Sequence, residues 1–117
     1  MDVAKYQMVV LAKAADGRVD ELGHWYGTQH LPDLLRTPGF AAGTVHSIKT
    51  IGKPAGAPGW DFLAVYDLDT DDPMTVLAEA GRRMGTERMP RSDALESIST
   101  VSLIATPVVT KVSEGWT

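Results

Sequence analysis

Cysteine is absent from the 117 residues, which excludes disulfide frameworks, thiolate zinc sites, iron–sulfur clusters and cysteine nucleophiles. No apolar run approaches the roughly 18 residues of a membrane span, and Met1-Asp2-Val3-Ala4-Lys5 has no basic region leading into an apolar one. A soluble, cytoplasmic chain without a membrane partner is expected. Basic residues are outnumbered, 11 Lys+Arg against 15 Asp+Glu for a net charge of −4, and are scattered along the chain. No nucleic-acid footprint is therefore expected. The Gly-x-Ser-x-Gly, Gly-x-Gly-x-x-Gly and phosphate-loop patterns are all missing, which removes the common hydrolase, dinucleotide and nucleotide readings. The histidines, His24, His30 and His46, include no i, i+4 pair, so a metal site is not expected.

What remains is 44% hydrophobic and 22% charged, enough for one domain spanning 1–117. At this length about two-thirds of the unfolded chain's surface can be buried, and no covalent or metal staple is needed.

Apolar patterning divides the chain. Tyr6 to Ala12 is a compact β-branched run ended by the turn residues Ala15-Asp16-Gly17, which predicts a buried strand. From Val19 to Leu35 the period lengthens: Leu22, Trp25, Tyr26, Gln29, His30, Asp33 and Leu34 form one helix face. Asp20 and Glu21 occupy the first turn, where the helix dipole favours negative charge. Pro32 cannot donate to the Thr28 carbonyl and disfavours helical geometry at Leu31, so a kink or restart is expected just after His30. Thr37-Pro38-Gly39 ends the helix.

Phe40 to Ile51 and Trp60 to Leu68 read as strands joined by a Gly/Pro loop over residues 52–59. An Asp cap and Pro73 then start a helix with Met74, Leu77, Ala78, Gly81 and Met84 as its expected apolar stripe. A polar stretch from Gly85 to Ser97 is expected to cover an edge or opening of the fold. Val101 to Val112 reads as the last strand, with Pro107 requiring an edge, bulge or strand end. The order β-α-β-β-α-β predicts an α+β, ferredoxin-like antiparallel sheet with two helices on one face. The other face would lie bare, and the economical cover is a second copy, giving a homodimer.

The segment from Asp20 to Phe40, DELGHWYGTQHLPDLLRTPGF, carries the most information. Its Trp25-Tyr26, His30-Leu31-Pro32 and Pro38-Gly39-Phe40 resemble the pattern of small EthD-like proteins of the dimeric α+β barrel superfamily. The motif covers about a fifth of the chain, and the inferred element order extends the likeness across nearly all of it. Similar proteins include uncharacterised ones beside lyases, cyclases and oxygenases. The resemblance implies a cavity in each subunit between sheet and helices, with the histidine of His-x-Pro near its rim and no metal or organic cofactor.

From the residues themselves, His30 lies one turn after Tyr26 on the flank of the buried stripe. An imidazole there can move a proton in dehydration, cyclisation, isomerisation or decarboxylation; equally, it can be a structural histidine bonded to a carbonyl freed near Pro32. Tyr26 points the same way and can donate to a developing oxyanion, or serve as core with its hydroxyl at the rim. These two are the catalytic candidates. Trp25, Trp60, Phe62 and Tyr66 suit an apolar pocket for an aromatic or carbonyl compound, or ordinary core. His46 shares a strand face with Phe40, Thr44 and Ile48 and can face either side of the sheet. Arg88, with Arg91, can clamp an acidic substrate; His24 is expected in solvent. The leading expectation is a cofactor-independent lyase, cyclase or isomerase acting on a small apolar molecule. A cofactor-free monooxygenase and a non-catalytic small-molecule-binding protein are the alternatives.

Overall fold

The computed structural model describes residues 5–115. Strand β1 is Tyr6–Ala12, β2 Phe40–Ser47, β3 Phe62–Leu68 and β4 Val101–Ala105. They form one antiparallel sheet in the order β2-β3-β1-β4. Between β1 and β2 the chain is helical from Val19 to Leu35, as α1 (Val19–Trp25), a π turn (Tyr26–His30) and α2 (Leu31–Leu35). Helix α3 (Pro73–Arg83) follows β3. This is the β-α-β-β-α-β order expected from the sequence.

Side-chain alternation separates the two faces of the sheet. Met8, Val10 and Ala12 lie opposite Tyr66, Ala64 and Phe62, and this face meets the helices. Val10, Ala12, Ala64, Tyr66 and Leu68 join Leu22, Tyr26 and Leu34 from the first helical segment and Val76 and Ala80 from α3 in one buried cluster. The other face aligns Val9 with Val65 and Leu103, and Leu11 with Leu63 and Val101. In this chain Val101 and Leu103 on it are exposed.

The helix restarts where Pro32 was expected to interrupt it: α2 begins at Leu31, just after His30, across a π turn that keeps the chain helical. The Leu31 N–H donates to the Tyr26 carbonyl, five residues back, and Leu31 keeps helical angles of φ −60° and ψ −50°. The wider turn absorbs the missing Pro32 donor without stopping the helix. Thr28 Oγ1 turns back to the His24 carbonyl at 2.7 Å.

Three boundaries differ from expectation, each for a packing or hydrogen-bonding reason. Strand β2 stops at Ser47 rather than Ile51, and β3 starts at Phe62 rather than Trp60, because the Ile48 N–H donates to the Asp61 carbonyl and closes the hairpin there. Strand β4 ends at Ala105 rather than Val112; it is an edge strand, and Pro107 has no N–H to extend a ladder. On α3 the buried residues are Val76 and Ala80, while Met74 is 64% exposed. Leu77 and Met84 of the expected stripe pack against the core, but its centre is rotated because Val76 is the residue that docks against Gly39. Asp72 caps α3, accepting from the Thr75 N–H at 3.4 Å and Thr75 Oγ1 at 2.6 Å. These bonds hold its carboxyl below the ordinary Asp value.

The polar stretch after α3 packs across the end of β1. Met89 and Ala94 are fully buried, and the Ala15 and Glu96 N–H groups donate to the Ala94 and Lys13 carbonyls at 2.7 and 2.8 Å.

Candidate functional site

The π turn gives the site its shape. Closing the backbone between residues five apart puts a residue's neighbour five back, as well as the one four back, on its own side. His30 accordingly meets two rings. Trp25 stacks on it with centroids 4.4 Å apart and planes 13° apart, and Tyr26 meets it edge-on at 5.5 Å. Phe62 of β3 lies 6.1 Å from Tyr26, and Tyr66, also on β3, is edge-on to Phe40 at 5.8 Å. Gly43 of β2 allows that packing, since a Cβ there would stand 2.7 Å from Leu31 and 2.8 Å from the Tyr66 ring.

Among the described residues, Trp25 Nε1, His30 Nδ1 and Tyr66 Oη are buried side-chain polar atoms with no hydrogen-bond partner. Native interiors leave few such atoms, and each calls for a cause. Burial also governs their ionisation. It pushes the His30 imidazole down to about 4, only partly opposed by the Asp33 charge. It pushes the Tyr26 phenol up to about 12 and Tyr66 further, with the neighbouring Tyr26 adding to the latter. At neutral pH His30 is thus an uncharged imidazole between the Trp25 indole and the neutral Tyr26 phenol.

Asp33 was not singled out by sequence reasoning beyond its place on the stripe. It is 4% exposed, and its carboxylate accepts from Gln29 Nε2 and Arg36 Nη1, each at 2.7 Å. The i, i+4 and i, i+3 spacings of these partners were the available signal. Asp33 supplies the negative field felt by His30, one turn away.

Trp25, Tyr26, His30, Phe62 and Tyr66 are therefore brought together; the other candidates are not. His46 faces Leu63 on the opposite side of the sheet and is exposed. Trp60 is half-buried, its Nε1 donating to the Ser99 carbonyl at 2.8 Å to tie a loop. Arg88 is exposed and lines a separate surface groove of about 410 Å³ with Glu79, Arg82, Arg83, Thr86 and Glu87. Arg91 lies against Gly85, and His24 is in solvent as expected. No group of three metal-ligating side chains is found among the described residues, and no helix there is long and apolar enough to cross a membrane.

The crystal structure of an ethyl tert-butyl ether D (EthD) family protein from Bacillus halodurans C-125 superposes on 88% of this chain and 98% of its own, with a TM-score of 0.50. The chain has the fold of an EthD family protein. At 14% identity the likeness to that EthD protein is one of architecture, and chemistry must be argued from the site. No protein-family model matches the sequence, and no curated protein matches it.

The unpartnered Tyr66 hydroxyl makes a stability prediction. Tyr66→Phe removes a buried polar atom that has no partner and leaves the ring packing intact. Stability should stay level or rise, by up to about 1 kcal/mol. A loss of more than about 1 kcal/mol in urea unfolding would mean that the hydroxyl is satisfied in solution.

Proposed function

We propose that the protein is a small-molecule enzyme of lyase, cyclase or isomerase type, with His30 moving a proton and Tyr26 donating to an oxygen of the bound compound. The observation that carries this reading is the buried, unpartnered Nδ1 of His30 held against Trp25 and Tyr26. An uncharged imidazole can take a proton from a substrate carbon or hydroxyl. The environment that lowers its basicity also drives that proton on to the next acceptor. A phenol that resists ionisation remains a donor, which suits it to a developing oxyanion. The aromatic surroundings favour a largely apolar aromatic or carbonyl substrate.

The test is product formation by wild type and His30→Ala over a panel of phenolic, aryl-carbonyl and polyketide-like compounds, followed by mass and by dissolved oxygen. A loss of water or carbon dioxide, or an isomerisation, that falls by about 10²–10⁴-fold in the variant is expected. Turnover within about threefold of wild type would remove the role from His30. Oxygen uptake would transfer the reading to a monooxygenase. The low basicity of His30 favours one second reading, a protein that binds such a compound and returns it unchanged.

A homodimer is part of the proposal, supported by the apolar sheet face around Val9, Leu11, Leu63 and Val65. A monomeric mass by light scattering at micromolar concentration would contradict it.

A further inference from the structure

Trp25 and Trp60 hold the same chemical group in opposite states. The Trp60 indole donates to the Ser99 carbonyl at 2.8 Å, whereas Trp25 Nε1 is buried without an acceptor among the described residues. An indole N–H can only donate, and a buried donor left unmade is destabilising. His30 Nδ1 and Tyr66 Oη, the other unpartnered atoms of the cluster, can each donate or accept. Trp25 alone has a fixed demand, an acceptor oxygen or its equivalent. Its ring lies parallel to His30 at 4.4 Å, so the donor belongs to the cluster rather than to a remote part of the core.

Resting on the reading of that cluster as a ligand site, we infer that Trp25 is a specificity-determining residue, whose Nε1 selects compounds bearing a carbonyl oxygen over their hydrocarbon counterparts. A neutral ketone or aldehyde fits better than a carboxylate. A carboxylate would carry a full charge into a desolvated site, and the guanidinium groups on either side in the chain are already engaged, Arg18 by Glu21 and Asp93 and Arg36 by Asp33 at 2.7 Å. A purely apolar ligand would leave the indole N–H as it stands.

The test compares acetophenone with ethylbenzene, the same skeleton with CH₂ in place of C=O, by titration of the indole and imidazole NMR signals. Wild type should bind acetophenone about 10-fold more tightly. The Trp25 indole proton should move with acetophenone and not with ethylbenzene, while that of Trp60, already bonded, stays in place. Trp25→Phe, which keeps a ring against His30, should bring the affinity ratio to about one. Equal wild-type affinities, or a preference that survives in Trp25→Phe, would overturn the inference while His30 shifts kept the ligand site itself standing. If neither compound perturbs His30 or Trp25 at millimolar concentration, both the inference and the site reading fail. Should Trp25→Phe not fold, the wild-type indole shift decides: movement with the ketone alone supports the donor role, and its absence sinks it.

Discussion

Gly39→Ala is expected to cost about 2–5 kcal/mol of stability, read as a lowered urea midpoint at unchanged slope. Two independent terms produce the loss. Gly39 holds a φ of +97°, where a side chain adds roughly 1–2 kcal/mol of strain. A Cβ there would also stand 2.5 Å from Val76 Cγ2 and 2.9 Å from Val76 Cγ1, and forcing a methyl group into a packed contact typically costs about 1–3 kcal/mol. The position has little freedom to yield, because the Gly39 carbonyl accepts from the Asp69 N–H at 2.8 Å and the Pro38-Gly39 turn delivers the chain into β2. Gly17 separates the two terms: its φ is +73°, and a methyl group added there would meet nothing within 4 Å. Gly17→Ala should therefore lose only about 1–2 kcal/mol, the strain alone. Equal losses at the two glycines would show that the Val76 contact contributes nothing.

The second large effect is on the acid side of the stability curve and belongs to His30. Burial places its folded-state value at about 4, against about 6.5 in an unfolded chain. Between these values the unfolded chain binds more protons than the folded one, so folding stability falls as the pH drops from about 6.5 to about 4 and then levels off. The full loss is about 3 kcal/mol. His30 is 7% exposed, so solvent screening does little to reduce it. Above pH 7 the group is neutral in both states and contributes no pH dependence. His30→Phe keeps a ring against Trp25 and removes the titration. The difference between the two unfolding free energies, measured from pH 4.5 to pH 8, isolates this residue because every carboxylate is common to both proteins. Parallel curves would mean that His30 titrates normally and is not in a desolvated site.

The sequence made the element order and the aromatic–histidine stripe visible because both depend on periodicity. Tyr26, His30 and Leu34 recur at helical steps, and β1 is a compact apolar run closed by turn residues, so local pattern and tertiary burial agree. Pro32 placed the restart just after His30, where α2 begins, but not its form, because a missing donor has two remedies, a break or a wider turn; the second keeps Leu22 and Leu34 on either side in the same core. The α3 stripe was displaced for a related reason. Met74, Val76, Leu77, Ala78 and Ala80 give an apolar surface broader than one stripe, and its contact with Gly39 chooses Val76. His46 was undecidable from its strand alone, since the side it faces follows from its pairing with Leu63. The state of the three polar atoms was hidden altogether, because satisfaction of a hydrogen bond is a property of the surroundings and not of the residue.

The wider turn between Tyr26 and His30 has a consequence for how this chain can vary. Its aromatic stack depends on a count of residues: one fewer between Trp25 and Pro32 would restore ordinary helical spacing and rotate α1 against α2 by about 100°. Leu22 and Leu34 are both buried, so such a rotation would have to pull one of them out of the core. Substitutions along this stretch can alter what the cluster does, but a change in its length would be felt by the whole fold.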